Sequence, residues 1–271
     1  MIPDPKLIAE IMRKTAEKIV LSRFQSLGAD EITANGTGDV VTVADLEAED
    51  TLAKELQIIL PGSEIIGEEG VSRDPSIVGA LLGSNPVWII DPIDGTQNFA
   101  DGKTCFAMIV ALIAKGETIA GWIHEPIQNR TVWAIRGEGA YEDEKQLRIN
   151  GSKSIPRLRG SMNLQYHRWL DERRNIMGKE KFLVREIVRY RCVGAEYADL
   201  ARGRLDFARY GGRLKPWDHA AGVLIFNEAG GYGAIISTSA SYHVGPTISD
   251  QVLLLAPNRG SWQKLVELMI T

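Results

Sequence analysis

The run Val87-Trp88-Ile89-Ile90 leads directly into Asp91, Pro92, Ile93, Asp94 and Gly95. Four large apolar residues, three of them β-branched, favour an extended segment buried on both faces. Pro92 biases Asp91 away from helix and stiffens the turn. A strand in the core therefore delivers one carboxylate to its end, and a second follows three residues later. Gly95 permits tight backbone geometry or close approach of a ligand. Thr96 supplies a hydroxyl, and the N–H groups opening the next segment can receive an anion. Two acids on a rigid turn repel, so their proton affinities rise unless a cation neutralises them. No Lys or Arg lies between Trp88 and Lys103. An all-oxygen donor set favours Mg²⁺ over zinc. A solvated cap on a strand-to-helix turn is the simpler alternative.

Three further segments bear on that choice. Glu68 and Glu69 lie between Gly67 and Gly70, with no base before Arg73. Asp45 starts a helical pattern after Val40-Val41-Thr42-Val43, and Asp218 opens another after Lys215-Pro216-Trp217. Singly, each reads as an N-cap or as compensation of a helix dipole. Together they are the raw material of a multi-metal phosphate site. Spacing alone does not show that they converge.

The chain of 271 residues is 44% hydrophobic, enough for one large domain or two tightly packed halves. A net charge of −4 argues against a nucleic-acid partner. No stretch reaches the roughly 18 apolar residues of a membrane span. The N-terminus reads as an amphipathic helix, not a signal peptide. Cys105 and Cys192 lie far apart in sequence, in unrelated contexts, and read as two buried thiols of a cytoplasmic protein.

Helical spacing is expected over 4–27, 45–60, 168–191, 194–203, 218–229 and about 260–270. SEIIGEEG at 63–70 is expected to be a short strand running into a turn, and a strand is expected at 87–91. Residues 104–113, 117–124 and 130–135 read as an antiparallel set, with turns at Lys115-Gly116 and Gln128-Asn129. The apolar strand 104–113 suits either a core or an interface. The class is mixed α/β (α+β). Charge, Gly and Pro cluster near 145–160, which suggests halves of 1–150 and 151–271.

Taken in order, GDVVTVAD at 38–45, GEEG at 67–70, WIIDPIDGTQNF at 88–99, PWDHAAG at 216–222 and NEAGG at 227–231 are recognisable. The chain resembles the inositol monophosphatase superfamily, the lithium-sensitive Mg²⁺-dependent phosphatases, over nearly its whole length. The resemblance implies a layered α-β-α-β-α sandwich with the site between two subdomains, and commonly a homodimer. It implies one Mg²⁺ on Glu68, Asp91 and the Ile93 carbonyl, a second on Asp91, Asp94 and Asp218, and a weaker third near Glu68. In the family's scheme, water on the first ion attacks phosphorus in line and the second ion stabilises the leaving alkoxide. Glu68 and Thr96 are the candidates for activating that water, with Thr96 oriented by Asp45. Gly95 and Thr96 amides would hold the phosphate, and Gly194 and Ala195 would contact the substrate. Absence of a nucleophilic Cys or Ser motif agrees with direct attack by water.

Two departures qualify the substrate. Ala34-Asn35-Gly36-Thr37-Gly38 lacks the Lys that inositol monophosphatases often carry there. The stretch Phe207–Trp217 lacks the Glu that contacts sugar hydroxyls and carries Arg209, Arg213 and Lys215 instead. These basic residues suggest a substrate with a second anionic group, with Arg209 and Arg213 as contacts. The open branches are inositol or sugar phosphates, histidinol phosphate (suggested by LKPWD) and 3′-phosphoadenosine-type bisphosphates. A catalytically silent metal- or phosphate-binding protein is the alternative of a different class.

Overall fold

The computed structural model describes residues 2–34, 39–151, 154–163, 166, 168, 172 and 185–270. The chain opens with α1 (Pro5–Thr15), capped by the Asp4 side chain and continued through a π-helical stretch at Ala16–Val20. A short ribbon, β1 (Ile32–Ala34) and β2 (Val40–Thr42), precedes α2 (Val43–Ile59). Then come β3 (Glu64–Gly67), α3 (Glu68–Arg73), β4 (Val87–Asp94) and α4 (Thr96–Ala100). Five strands follow: β5 (Ala107–Ala114), β6 (Glu117–Glu125), β7 (Arg130–Ile135), β8 (Gly139–Glu142) and β9 (Lys145–Leu147). The rest holds β10 (Arg159–Met162), β11 (Glu186–Val188), α5 (Val193–Ala201) and β12 (Phe207–Arg213). It ends with α6 (Pro216–Glu228), β13 (Tyr232–Ile235), β14 (Asp250–Ala256) and α7 (Arg259–Ile270).

Strands β3 to β9 form one seven-stranded sheet in sequence order, parallel only at β3–β4. A five-stranded sheet runs β11-β10-β12-β14-β13, with β10 parallel to both of its neighbours. The period-two alternation of each strand divides its side chains between two cores. On β5, Met108, Val110 and Leu112 pack with α1 and α2, while Ile109, Ala111 and Ile113 pack with α5 and α6. On β14, Leu253 and Leu255 face α6, while Leu254 and Ala256 face α7. The layers therefore run α1/α2, first sheet, α5/α6, second sheet, α7: the α-β-α-β-α order expected.

Strand β5 lies between β4 and β6 and is buried over Ala107–Ile113, so the apolar run at 104–113 is core. Helix α6 is buried from Pro216 to Phe226 except at Asp218, because a helix between two sheets has no free face. Turns at Lys115-Gly116 and Asn129 use positive φ, as their sequences suggest.

Three expectations change. Residues 68–73 form a helix, so strand β3 runs into a helix start rather than a turn. Within the expected helix 168–191, residues 186–188 pair as strand β11 against β10; residues 169–171 and 173–184 lie outside those described. Residues 29–42, whose Gly, Asn and Thr content reads as an exposed connecting loop, instead carry the paired strands β1 and β2, and residues 35–38 among them lie outside those described.

One close approach fixes how α6 sits on the first sheet. A Cβ at Gly121 of β6 would lie 2.8 Å from the Ala221 Cα and 3.1 Å from its carbonyl oxygen. Backbone atoms cannot give way as a side-chain tip can, so Gly121→Val must push α6 outward. Overpacking of this kind costs about 1–3 kcal/mol. Thermal unfolding of Gly121→Val should show a Tm several degrees lower, and an unchanged Tm would refute this account of the packing.

Candidate active site

The five side chains offered by the sequence as metal ligands or water activators at the site, Glu68, Asp91, Asp94, Thr96 and Asp218, reach one cavity of about 200 Å³, which Glu69 and Lys215 also line. Asp91 and Asp94 arrive on the end of β4, with the Ile93 residue lining the wall between them. Glu68 and Asp218 arrive in the first turns of α3 and α6, and Thr96 opens α4. Acids in first turns also compensate the helix dipole, so the bland and the functional readings of their placement coexist.

Asp45 stands just behind this wall. Its Oδ2 accepts from the Thr42 N–H at 2.8 Å and the Thr42 hydroxyl at 2.6 Å, closing the start of α2. That leaves Oδ1, 3.2 Å from the Thr96 hydroxyl, which is also 2.9 Å from the Ile93 carbonyl oxygen. The single hydroxyl proton serves one of these acceptors at a time. Gly95 adopts φ +87°, and a Cβ there would come within 3.2 Å of the Arg191 carbonyl oxygen. Both the conformation and the space demand glycine.

The far side of the cavity is held from the second sheet's half of the chain. Asp94 Oδ2 accepts from the Gly194 N–H at 2.5 Å and from Cys192 Sγ at 3.1 Å. The Ala195 N–H donates to Cys192 Sγ at 3.4 Å. The amides of Gly194 and Ala195 are thus engaged inside the protein, bracing Asp94 and its neighbour. Lys215 Nζ donates to Glu68 Oε1 at 3.2 Å and stands 3.5 Å from Asp39.

Burial sets the electrostatics, with Lys215 compensating only part of the charge. It raises the proton affinities of Asp91 and Asp218 well above the carboxylate range, helped by Glu68 and by neighbouring aspartates. Burial also raises Asp94, against the hydrogen bonds from Gly194 and Cys192. It lifts Asp45 to about 7 and Glu69 to about 8. Asp91 Oδ1 is buried with no hydrogen-bond partner among the described residues. An orphaned carboxylate oxygen amid other carboxylates fits a hard divalent cation, and the lining oxygens suit one. Among the described residues, no three acidic, histidine or cysteine side chains already stand as a metal cage. Asp94 is turned to Gly194 and Asp45 to Thr42.

Several participants escaped the sequence reading. Glu49 is buried and accepts the N–H groups of Glu69 and Gly70, each at 2.8 Å, so it fixes the start of α3 that carries Glu68. Its signal was the four-residue spacing from Asp45, which puts both on one face of α2. Cys105 and Cys192 are not in unrelated contexts: their thiols hydrogen-bond to each other, and Cys192 touches Asp94. Cys105 is only half-buried. His124 and His219 are packing residues, as their settings suggest: burial lowers them to about 4 and about 3, and His219 Nδ1 lies 3.1 Å from the Tyr197 hydroxyl.

A layered α-β-α-β-α fold whose strand and helix ends bring acids together at one cavity is the architecture of the inositol phosphatase class, as the comparisons with known proteins bear out. Within that class the chain belongs to the inositol monophosphatase family, whose model matches residues 6–269. It is 34% identical over 224 residues to an inositol-1-monophosphatase of Bacillus subtilis, covering 81% of this chain and 80% of the relative. It is 33% identical over 223 residues to the Nus factor SuhB of Pseudomonas aeruginosa, covering 80% of each. Among solved structures, the Thermotoga maritima IMPase superposes with a TM-score of 0.80 at 26% identity, covering 97% of this chain and 95% of that one. No helix among the described residues is long and apolar enough to cross a membrane.

The raised acids give a stability profile with a definite sign. Carboxyls whose folded proton affinity exceeds the unfolded value bind more protons folded than unfolded, so stability falls as pH rises through the folded values. For Asp45 and Glu69 that window runs from about pH 4 to about pH 8. Without divalent cations, Tm should fall between pH 5 and pH 8. Added divalent cation should restore it more at pH 8 than at pH 5. A cation-free Tm that rises over this range would overturn the electrostatic account.

Proposed function

We propose that the protein hydrolyses a small soluble phosphomonoester in a Mg²⁺-dependent reaction at the cavity below β4. The observation that carries this reading is the buried, unpartnered Asp91 Oδ1 beside Asp94, Glu68 and Asp218. Glu68, Asp91, the Ile93 carbonyl, Asp94 and Asp218 would hold two or three ions. Bound Mg²⁺ supplies positive charge that neutralises the phosphate and makes nearby water more acidic.

The chain's own residues then have distinct tasks. The Gly95 and Thr96 amides open α4 towards the cavity and are suited to hold phosphate oxygens. When the Thr96 hydroxyl donates to Asp45, its lone pairs are free to accept from a water. Asp45, fixed through Thr42, sets that orientation. Glu68 is the second group in reach of such a water, and Lys215 beside it tempers its charge. Phosphoryl transfer rewards alignment and charge neutralisation above covalent chemistry, which suits this set of groups.

The direct test is phosphate release from inositol, sugar, histidinol and adenosine phosphates with Mg²⁺ and with chelator. Turnover should require the cation, and Asp94→Asn should abolish it with little change in Tm, since an amide relieves repulsion. A fully active Asp94→Asn would remove the mechanism. Binding of Mg²⁺ and phosphate with no turnover across the panel would favour a catalytically silent protein instead. Thr96→Val should lower kcat by roughly two orders of magnitude or more, the scale of a lost general acid–base contact. Lithium at tens of millimolar, by about the same logic of cation replacement, is expected to inhibit.

A further inference from the structure

Beside the acidic cavity lies a second one of about 310 Å³, and the two share Asp94 and Asp218 in their walls. Its far wall carries four arginines: Arg189 and Arg191 from the segment before α5, and Arg209 and Arg213 from β12. The period-two geometry of β12 sets Arg209 and Arg213 on the same face, with Gly211 between them. A Cβ at Gly211 would come 3.0 Å from an Arg209 Nη, so glycine makes room for that guanidinium. Arg209 is stacked 3.5 Å over the Tyr166 ring, which holds it in place. Its buried Nε has no hydrogen-bond acceptor among the described residues.

None of these four guanidinia has a carboxylate within ion-pair distance among the described residues. The contrast within the same chain is Arg202, a buried structural arginine surrounded by Glu125, Glu142 and Asp199. Lys215, grouped with Arg209 and Arg213 on sequence, belongs to the other cavity through Glu68 and Asp39. A planar guanidinium offers paired donors that match a phosphate or a carboxylate. Four of them lining one cavity, none held in an ion pair among the described residues, make a wall that attracts a dianion and discriminates against a neutral alcohol, with the carboxylate of Glu196 occupied by Ser161.

We propose that Arg189, Arg191, Arg209 and Arg213 form a second-anion subsite. The preferred substrate is then an alcohol phosphate that carries another anionic group, phosphate or carboxylate, a few bonds from the scissile ester. This rests on the phosphatase reading above and narrows its substrate class. The scissile phosphate faces the acidic wall, and the second anion crosses to the arginines.

Matched pairs test it: 3′-phosphoadenosine 5′-phosphate against adenosine 3′-phosphate, and 2-phosphoglycerate against glycerol 2-phosphate. The first pair reads a second phosphate and the second pair a carboxylate. In at least one pair, kcat/KM should favour the two-anion ester by about tenfold or more, as lost charge-assisted bonds would imply. Arg191→Gln combined with Arg213→Gln, both exposed and checked for an unchanged Tm, should collapse that ratio through KM. Arg209→Lys, which keeps charge but loses the fork, should lower it less. A ratio near one in both pairs, or a ratio untouched by the double variant, overturns the subsite. Calorimetric binding of the same four compounds with Ca²⁺ reads the subsite without turnover. Two-anion selectivity there, with no phosphate release under Mg²⁺, would sink the phosphatase reading while keeping the subsite; no selectivity there would sink the subsite.

Discussion

Carboxylates crowded at the buried end of a strand are costly, and the organisation of the molecule follows from how that cost is borne. Asp91 and Asp94 are buried, with Asp218 and Glu68 beside them and Lys215 at the rim. Isolated ionised acids in such a setting would lose far more in hydration than a few hydrogen bonds return. The chain tolerates them because β4 is locked on both faces by large apolar side chains. Trp88 and Ile90 lie in one core and Ile89 in the other. Burying each such side chain contributes roughly 1.5–3 kcal/mol. The same crowding makes a cation the natural complement, so the feature that strains the fold is the one that recruits the chemistry.

The layers also divide the labour of positioning. The first sheet and its outer helices supply Asp45, Glu68, Asp91 and Thr96, whereas α6 supplies Asp218 and the start of α5 braces Asp94. Helix α6 can serve both cavities because it runs between the two sheets with scarcely a polar residue on its flanks. Its seat on Gly121 is therefore as relevant to the site as any side chain in it.

Much of this was legible in the sequence. Unbroken apolar runs bounded by turn residues marked β4 to β7, because strands buried on both faces must be apolar throughout. The acids were visible because each ends an apolar segment or starts a helical one. What the sequence withheld were relations across long separations. Arg189 and Arg191 lay in a charged stretch with helical spacing, which disguised the strand that carries them to the cavity. Cys105 and Cys192 are 87 positions apart, and their contact arises only when α5 docks on β5. Glu196 has no flanking motif, yet its carboxylate is buried beside the second cavity, accepts the Ser161 hydroxyl at 2.5 Å and is lifted to about 7 by burial.

The bond from the Gly194 N–H to Asp94 has a mechanical consequence. Asp94 is fixed along the chain to the first sheet, but its carboxylate is clasped by the first turn of α5, which packs between the two sheets. Closure of the two sheets around α5 and α6 and the aim of that oxygen are thus one degree of freedom. By linkage the effect is reciprocal: whatever binding through Asp94 does to the clasp, the state of the clasp does to the binding. The protein is in this sense a latch whose bolt is a carboxylate, and occupancy of the cavity and the fit of the joint between its layers are coupled through it.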